Sequence, residues 1–483
     1  MENSRKSNSR VLLEHVGAAL LPVVPAGSSI LLGLSGGVDS VVLLHLLQQL
    51  SPRHSWRLSA LHVHHGISPR ADAWAAFCAD LCARIGVPLH IEHVDITPLR
   101  DLGIEAAARK LRHAALARQQ ADFVALAHHQ DDQVETMLLQ LLRGAGVRGA
   151  SAMPLVKKNT SQSSFLRRRE SSLINRLDSR RRGNDNLDFP GDKSHPAILL
   201  RPLLDTPRSV LLDYAQRHAL QWVEDESNAD DAYPRNFLRH RILPLLEQRF
   251  PAYRDTLSRS ARHFAEAATL LDDLAEQDAA VALQGESLDV SQLHTLDAAR
   301  GKNLLRYFLA AQRAPIPDST CLEEMLRQLC CARNDAAVNL TFGGWQVRRY
   351  QERAYAFPEL PGDDAGFCVQ WRGEAVLELP ELGGVLHFES CVGQGLSSEK
   401  LQQATVSLRL RHGAERIRPD NKRPTRTLKN LLQEQGMPPW QRDSLPLLYC
   451  GEELVCAPGV AAASAWQAQA GEAGLLVSWH RRK

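Results

Sequence analysis

The fold is decided by six residues, Ser35-Gly36-Gly37-Val38-Asp39-Ser40. An apolar run precedes them at 30–34, and a second apolar run follows at 41–47. The first run predicts a buried strand and the second a helix, so the turn between them opens onto a helix N-terminus. Glycines let the backbone approach a ligand closely, while free N–H groups, the helix dipole and serine hydroxyls favour an anion there. We therefore predict a phosphate cradle formed by Ser35, Gly36, Gly37, Val38, Asp39 and Ser40.

Asp39 adds a negative charge to this cradle, and a bridging Mg²⁺ ion would reconcile it with a phosphate chain. The spacing is not that of the G-x-x-x-x-G-K-[ST] loop, because no lysine follows the glycines. The pattern S-G-G-x-D-S resembles instead the pyrophosphate loop of the N-type ATP pyrophosphatases, which cleave ATP between the α- and β-phosphates. The alternative without a ligand is a Gly-Gly turn in which Asp39 caps the helix.

Four strand-then-helix units fit the first 145 residues. The strands are predicted at 30–34, 58–63, 89–94 and 123–127, and the helices at 38–50, 72–85, 104–119 and 132–142. This alternation predicts an α/β fold, a parallel twisted sheet with flanking helices of the Rossmann-like kind. Ligands of such folds bind at the carboxyl ends of the strands. Three polar clusters fall there, at 35–40, 62–66 and 128–132.

The chain of 483 residues is long enough for several domains. We predict an ATP pyrophosphatase domain at 1–215, a mainly helical domain at 216–357 and a small α+β domain at 366–483. The stretch 157–193 carries ten Lys or Arg against five Asp or Glu and lacks an apolar period. It predicts a disordered insertion, interpreted either as a solvated loop or as an RNA-contacting arm.

Composition narrows the class of protein. The net charge of +2 does not by itself require a polyanionic partner. No apolar run reaches the roughly 18 residues of a membrane span, and the N-terminal segment predicts an amphipathic helix more than a signal peptide. The nine cysteines form no C-x-x-C pair. Their scatter favours a reducing, cytoplasmic location over a disulfide framework or a cysteine-held cluster.

The second chemical block runs from Ala127 to Thr136, AHHQDDQVET. Asp131 is predicted to cap the following helix, and Asp132 and Glu135, three residues apart, lie on one helix face. Beside a phosphate site these two carboxylates suit Mg²⁺ together with Asp39. Helix capping alone is one alternative, and a zinc site that uses the histidines is another.

Two groups of basic residues complete the candidate sites. Arg109 and Arg112 share a helix face with Glu105, and guanidinium groups pair well with phosphate oxygens, although an exposed ion-paired stripe has the same spacing. The segment 233–241, YPRNFLRHR, combines cations with aromatic rings and suits a nucleic-acid backbone with bases stacked alongside. A basic patch at 416–429 could contact phosphates without sequence preference.

Taken together, these blocks resemble the tRNA(Ile)-lysidine synthase family over nearly the whole chain. SGGxDS alone marks only the superfamily, whereas HHxDDQxET with W-x-x-D-x-S-N and R-N-x-x-R is much more specific. The matching segments are SGGVDS (35–40), LHVHHG (61–66), EAAARKLR (105–112), LAHHQDDQVETMLLQLLRGAG (126–146), RPLL (201–204), WVEDESN (222–228), RNFLRHRILPLL (235–246) and LKNLLQEQGMPPWQRDSLPLL (428–448).

The resemblance implies a ligase that joins free L-lysine to C2 of the wobble cytidine in the CAU anticodon of tRNA(Ile). Such an enzyme uses ATP and Mg²⁺, forms an adenylated cytidine and changes the tRNA from methionine to isoleucine specificity. The oligomeric state stays open, a homodimer included. The implied site residues are Asp39, Asp132, Arg109 and Arg112 for catalysis, Asp39, Asp132 and Glu135 for Mg²⁺, and Arg235, Asn236 and Arg239 for tRNA.

Three other classes of protein were weighed against this ligase. A tRNA thiolase shares the pyrophosphate loop, but the missing C-x-x-C pairs count against it. An amidotransferase-type synthetase would need a glutaminase block, which the sequence lacks. A non-catalytic tRNA-binding protein would have no need for an intact 35–40 loop together with Asp132.

Overall fold

The computed structural model describes residues 2–157, 197–226, 230–333, 338–359, 367–420 and 424–481. They belong to two compact units, residues 1–280 and 281–483. Four features of the sequence analysis lie outside the described residues: the insertion beyond Lys157, Ser227 with Asn228, positions 360–365 of the segment between the second and third predicted domains, and positions 421–423 of the basic patch. The domain boundaries proposed near 215 and 358–365 stay predictions.

The first unit alternates strands and helices up to residue 217 and is helical thereafter. Its elements are α1 Glu2–Leu20, β1 Ser29–Gly33, α2 Val38–His54, β2 Arg57–His64, α3 Ala71–Ile85, β3 Leu89–His93, α4 Ile104–Arg118, β4 Phe123–Ala125, α5 Gln130–Leu142, α6 Val147–Ala150, β5 Val156–Lys157, β6 Ile198–Leu200, α7 Arg208–Arg217, α8 Pro234–Phe237, α9 Leu243–Arg249 and α10 Tyr253–Ala282. The four predicted strand–helix units are thereby confirmed, with ends shifted by a few residues.

These strands form a six-stranded sheet in the order β3-β2-β1-β4-β6-β5. All neighbours are parallel except β5, which runs antiparallel to β6 at the edge. The predicted parallel sheet with flanking helices is confirmed. The two flanks of the basic insertion, β5 and β6, are hydrogen-bonded neighbours at one edge of the sheet.

The burial of strand β1 explains why its sequence is one continuous apolar run. Ile30, Leu31 and Leu32 of β1 are all buried, and β1 has helices on both faces. A strand covered on both sides shows a continuous hydrophobic run rather than an alternation. After β1 the chain turns to one side of the sheet for β2 and β3, and it returns to the other side for β4. The carboxyl ends of β1 and β4 therefore form the topological switch point at which such sheets bind ligands.

A long helical segment closes the first unit. Helices α8 and α9 are joined by a π-helical turn, Leu238–Ile242, and α10 packs against α5 through Tyr253 on Val134 and through Ala261 on Met137. A π-turn inserts a residue into the helical repeat and changes the direction of the side chains around it. Among the described residues, none of the helices combines the length and apolar character that crossing a bilayer requires.

In its described residues, the second unit begins with two short strands and three helices, and it continues with small sheets and three further short helices. Its elements are β7 Leu283–Gln284, β8 Ser287–Asp289, α11 Val290–Thr295, α12 Ala298–Ala311, α13 Ser319–Cys331, β9 Asn339–Phe342, β10 Trp345–Tyr350, β11 Arg353–Pro358, β12 Cys368–Gln370, β13 Val376–Leu379, β14 Gly384–Val392, β15 Leu396–Ser397, α14 Ser398–Leu401, β16 Val406–Arg409, β17 Arg416–Ile417, β18 Arg426–Thr427, α15 Leu428–Glu434, α16 Pro439–Asp443, β19 Leu447–Cys450, β20 Glu453–Ala457, β21 Ala461–Ala462 and β22 Ala473–Arg481. The predicted helical region and the α+β character of the C-terminal residues are confirmed.

Four sheets organise this unit. Their strand orders are β7-β8-β11-β10-β9, β12-β16-β19-β20-β21, β13-β14-β22-β15 and β17-β18. The longest pairing joins β14 to β22 over nine residue pairs. The α+β prediction for 366–483 rests on strand-like patches at 376–379, 406–410, 447–449 and 475–479, which correspond to β13, β16, β19 and β22. Strand β14, the partner of β22 in that pairing, is not among them.

Candidate active site

The 35–40 loop connects β1 to α2 in a conformation that only glycine permits at one position. Gly36 has φ +86°, and a Cβ atom there would lie 2.8 Å from Cγ2 of Val223. Its carbonyl accepts a hydrogen bond from the Val223 N–H at 3.0 Å. Within the loop, the Ser40 hydroxyl donates to the Gly37 carbonyl at 2.9 Å and lies 3.2 Å from the Ser35 hydroxyl. The loop is thus fixed in shape by its own hydroxyls and by the 222–226 segment.

Helix α2 begins at Val38 with Gly37 as its N-cap, and no side chain caps it. The first N–H groups of a helix need partners from outside the helix, and they attract anions when no side chain supplies them. The predicted phosphate cradle therefore has the geometry that an anion requires.

Asp39 has a polar atom without a partner. Its side chain is 28% exposed, but Oδ1 is buried and accepts no hydrogen bond from the described residues. The closest cations are His129, whose Nε2 lies 3.6 Å from Oδ2, and Arg208, whose Nε lies 3.9 Å from Oδ1. A buried carboxylate oxygen without a donor is unfavourable, and a bound cation would relieve it.

The start of α5 places a histidine between two carboxylates. His129 is the N-cap: its Nδ1 accepts from the Asp132 N–H at 3.4 Å, and the Asp132 carboxylate accepts from the His129 N–H at 3.1 Å. The cap predicted for Asp131 is wrong, because the helix begins at Gln130 and Asp131 is already inside it. Asp131 instead accepts from the Arg208 N–H at 3.0 Å and from Arg254 Nε at 2.6 Å.

His129 and Asp132 each stabilise the charged form of the other. Burial alone would lower the pKa of His129, but the carboxylates of Asp132 and Asp39 outweigh it and raise that pKa. Burial alone would raise the pKa of Asp132, but His129 and Arg235 hold it well below its usual range. Asp132 is therefore an anion over the physiological pH range and is available to a cation.

Glu135 is fully buried and binds two arginines. Arg235 donates from Nε to Oε2 at 2.7 Å, and Arg239 donates from Nε to Oε1 at 2.7 Å and from Nη2 to Oε2 at 3.0 Å. Arg235 also donates to the hydroxyl of Thr136 at 3.2 Å. The side chains of Arg235 and Arg239 are 23% and 28% exposed. The predicted role of Glu135 as a magnesium ligand stays a prediction, since its oxygens here serve the arginines.

The remaining predicted residues lie around this centre. Asn236 is buried and donates to the Asp230 carbonyl at 2.9 Å, so it supports the α8 turn. Arg109 is half-buried and Arg112 is exposed on α4. Burial, and then the charge of Arg201, lower the pKa of His128 to about 3, and Arg235 and Arg109 act in the same direction. Arg109 therefore lies within electrostatic range of the site, while the roles of Arg109 and Arg112 stay predictions.

The sequence analysis missed four residues of this network. Arg201 is fully buried and donates to His128 Nδ1 at 3.2 Å and to the Pro154 carbonyl at 2.9 Å. His129 enters the sequence analysis only in the zinc alternative, and Arg208 and Arg254 have no predicted role. Arg201 stands in the RPLL block, which offered a signal. Arg208 and Arg254 reach Asp131 from far along the chain, and no local pattern marks them.

The residues present fit magnesium better than zinc. The described residues contain no set of three or more His, Cys, Asp or Glu side chains arranged to hold a metal, as a tetrahedral zinc site would need. Magnesium in nucleotide sites is held by one or two carboxylates together with phosphate oxygens and water. Asp39, whose Oδ1 accepts no hydrogen bond from the described residues, and Asp132 both approach Nε2 of His129, at 3.6 and 3.3 Å, and could supply such a pair.

Comparison with known proteins agrees with this geometry. The PP-loop domain matches residues 12–246, so this part of the first unit is a PP-loop domain of the kind that uses ATP. The TilS substrate binding domain matches residues 288–355, and the TilS substrate C-terminal domain matches 406–479.

Curated relatives define the family. The tRNA(Ile)-lysidine synthase of Nitrosomonas europaea is 44% identical over 457 residues, which cover 95% of this chain and 93% of the relative. The enzyme of the same name from Aromatoleum aromaticum is 39% identical and covers 92% and 96%. That of Coxiella burnetii is 34% identical and covers 95% and 94%. This chain belongs to the tRNA(Ile)-lysidine synthase family, as its motifs predicted, and these relatives do not support the thiolase alternative.

Proposed function

We infer that this protein is an ATP-dependent ligase that joins lysine to C2 of the wobble cytidine in the CAU anticodon of tRNA(Ile). The product, lysidine, changes both the codon that the tRNA reads and its amino acid, from methionine to isoleucine. The observation that carries this inference is the match of about 95% of the chain to lysidine synthases. We place the reaction in the cytoplasm, where its tRNA substrate is used.

The chemistry explains why ATP is needed. The C2 carbonyl carbon of cytosine is a poor electrophile until its oxygen, O2, becomes part of a good leaving group. In the first step O2 attacks the α-phosphorus of ATP, and pyrophosphate leaves. In the second step the ε-amine of free L-lysine attacks C2, and AMP leaves with the former O2. The enzyme must stabilise the charge on two departing phosphate groups, which is an electrostatic task.

The 35–40 loop is proposed to hold the pyrophosphate part of ATP. Its backbone N–H groups at the start of α2 and the hydroxyls of Ser35 and Ser40 would donate to phosphate oxygens. Asp39 and Asp132 would hold Mg²⁺, and Glu135 would support them by fixing the arginines. When bound, Mg²⁺ neutralises charge on the phosphate oxygens. Arg109 and Arg112 are proposed to steady the α-phosphate or the adenylated base.

Arg235 and Arg239 are proposed to contact the tRNA near the anticodon, with Asn236 supporting their helix. Two observations support this. Both side chains are held in position by Glu135, and both are partly exposed. Guanidinium groups whose geometry is set in advance lose little entropy when they bind a phosphate.

Purified protein incubated with ATP, labelled lysine and tRNA transcripts tests the inference. We expect label on tRNA(Ile) with a CAU anticodon, one pyrophosphate released per lysine, and loss of transfer when the wobble cytidine is replaced by uridine. A methionine tRNA with the same anticodon is the matched control. Sulfur transfer, or no lysine on any tRNA, would overturn the assignment. Light scattering on the same preparation distinguishes a monomer from the homodimer that the sequence left open.

A further inference from the structure

An apolar groove lies between the end of α5 and the start of α8, next to the proposed tRNA-contacting arginines. Its volume is about 480 Å³. We call it the α5–α8 groove; it is lined by Leu139, Leu142, Phe237, Leu238 and Ile242, with Asp231 at its rim. Nothing in the proposed reaction of ATP or lysine uses this groove.

Two of its apolar side chains are open to solvent. Leu142 is 75% exposed and Phe237 is 46% exposed. Large apolar groups that share one exposed groove mark binding surfaces more often than scattered ones do. The aromatic ring of Phe237 presents the kind of face on which another ring system can stack.

The charges around the groove favour a polyanion over an apolar protein surface. Arg143 follows Leu142 and is exposed, and Arg241, four residues after Phe237, is exposed as well. Asp231, the acidic residue of the rim, is already paired with Arg241 at 2.7 Å and with His240 at 2.7 Å. An apolar slot with exposed arginines beside it is the pattern of proteins that bind single-stranded nucleic acid, where arginines contact phosphates and aromatic rings contact bases.

The π-turn explains how one short segment both lines the groove and binds Glu135. Phe237 ends α8 and faces the groove, while Arg239, inside the turn, points back to Glu135. Along α5, Glu135 and Leu142 are seven residues apart, or about 10 Å at 1.5 Å per residue. This length equals about three nucleotides stacked at 3.4 Å. The groove thus lies about three stacked nucleotides from Glu135, which holds the arginines proposed to contact the tRNA.

We propose that the α5–α8 groove binds one unstacked nucleobase of the anticodon loop, stacked on Phe237. The proposal rests on the proposed function, because it takes tRNA as the substrate. Sequence-specific RNA recognition generally targets unpaired loop bases that stack on aromatic rings. Since the lining offers mainly apolar contacts, the groove accepts any base and positions the loop rather than reading its sequence.

The test uses anticodon stem-loop RNAs that carry 2-aminopurine at single loop positions. With the wild-type protein, we expect the fluorescence at one position near the cytidine to change on binding. Phe237→Ala should abolish that change and weaken RNA binding roughly 5- to 150-fold, the range for loss of one base–aromatic stack. Phe237→Tyr keeps the ring and should retain most of the affinity. Phe250→Ala is the matched control, because Phe250 is 60% exposed outside the groove.

Leu142→Glu provides a second variant whose folding is not in question, since Leu142 is mostly exposed. It should weaken binding as well, because it places a negative charge beside the RNA. If both variants bind RNA and report base positions as the wild type does, while lysine transfer proceeds, the groove proposal is wrong and the proposed function stands. If the wild type is a dimer and the variants instead dissociate it while RNA binding is unaltered, a second copy of the chain occupies the groove. The proposal is then also wrong. Absence of lysine transfer by the wild type would count against the function, and the fluorescence would still decide the groove.

Discussion

The 35–40 loop and the start of α5 both follow central strands of one sheet, yet they treat their polar groups in opposite ways. In the loop, no side chain caps α2, and Oδ1 of Asp39 accepts no hydrogen bond from the described residues. At the start of α5, His129 and Asp132 cap each other, and Glu135 binds Arg235 and Arg239. The 35–40 loop therefore has polar groups that lack side-chain partners, whereas the charged groups at the start of α5 pair with one another.

This difference assigns the two regions different tasks. Buried polar atoms without partners are rare because they are costly, so they mark the place that a ligand completes. A satisfied network of charges orients its members in advance and keeps them rigid. We therefore expect substitutions in the loop to affect ATP chemistry first, and substitutions at Glu135 to affect folding and the arginines first.

The largest effect is expected for Asp39→Asn. The amide removes the charge that is proposed to hold Mg²⁺, so tRNA-dependent ATP–pyrophosphate exchange should fall by on the order of 10² to 10³, the range for loss of one electrostatic contact at a reacting centre. The binding of tRNA should be largely unchanged in a filter assay. Asp213→Asn is the control, because Asp213 is exposed on α7. Exchange at the wild-type rate would mean that Asp39 is not a metal ligand.

Glu135→Gln is expected to act on stability. The amide keeps the shape but loses the charge that binds two arginines, so the unfolding free energy of the first unit should drop by about 1.5–3 kcal/mol. The melting transition of that unit measures this, and Glu247→Gln, a change at an exposed partner of Arg254, should have a much smaller effect. An unchanged melting temperature together with a weakened response to Mg²⁺ would instead identify Glu135 as a metal ligand.

Gly36→Ala separates the shape of the loop from its charge. Alanine is disfavoured at φ +86°, and its Cβ would meet Val223, so we expect a loss of at least about 1–2 kcal/mol and weaker ATP binding. Gly66→Ala is the matched control: Gly66 has φ +65° but open space around it. Equal effects of the two substitutions on ATP binding, measured by calorimetry, would show that the contact with Val223 does not matter.

The smallest effect concerns His65, another group whose buried polar atoms lack partners among the described residues. Burial, and then the charge of Arg112, lower the pKa of His65 to about 4. The unfolded chain therefore binds a proton more readily than the folded chain between about pH 6.5 and pH 4, and stability falls as the pH drops through that window. His65→Asn should reduce the acid-induced fall in melting temperature by about 2–4 °C. The exposed His263→Asn should not, and equal pH profiles for the two variants would contradict the burial argument.

The sequence predicted the sheet because local signals were strong. The apolar runs, the glycines at 36 and 37 and the strand–helix alternation are all visible within short windows. The predicted alternation of strands and helices placed 35–40 and 128–132 together at the carboxyl ends of the parallel strands. The structure confirms this placement, with His129 close to Asp39.

The contacts that the sequence did not predict join residues that are far apart in the chain. Arg208 and Arg254 reach Asp131, and Arg235 and Arg239 reach Glu135, across about 80 to 120 positions of sequence. The predicted cap at Asp131 failed for a local reason, since the first helical residue is Gln130 and the cap moves to His129. Strand β14 was missed because only its first half alternates in burial, and its pairing with β22 comes from the far end of the chain.

The central claim is that the incomplete loop holds the phosphates of ATP. A crystal of the protein with Mg²⁺ and α,β-methylene-ATP tests it directly. We expect phosphate oxygens within about 2.7–3.2 Å of the N–H groups of residues 36–40 and a magnesium ion about 2.0–2.1 Å from an Asp39 oxygen. Nucleotide phosphates bound away from the 35–40 loop, with Asp39 still unpartnered, would contradict the account.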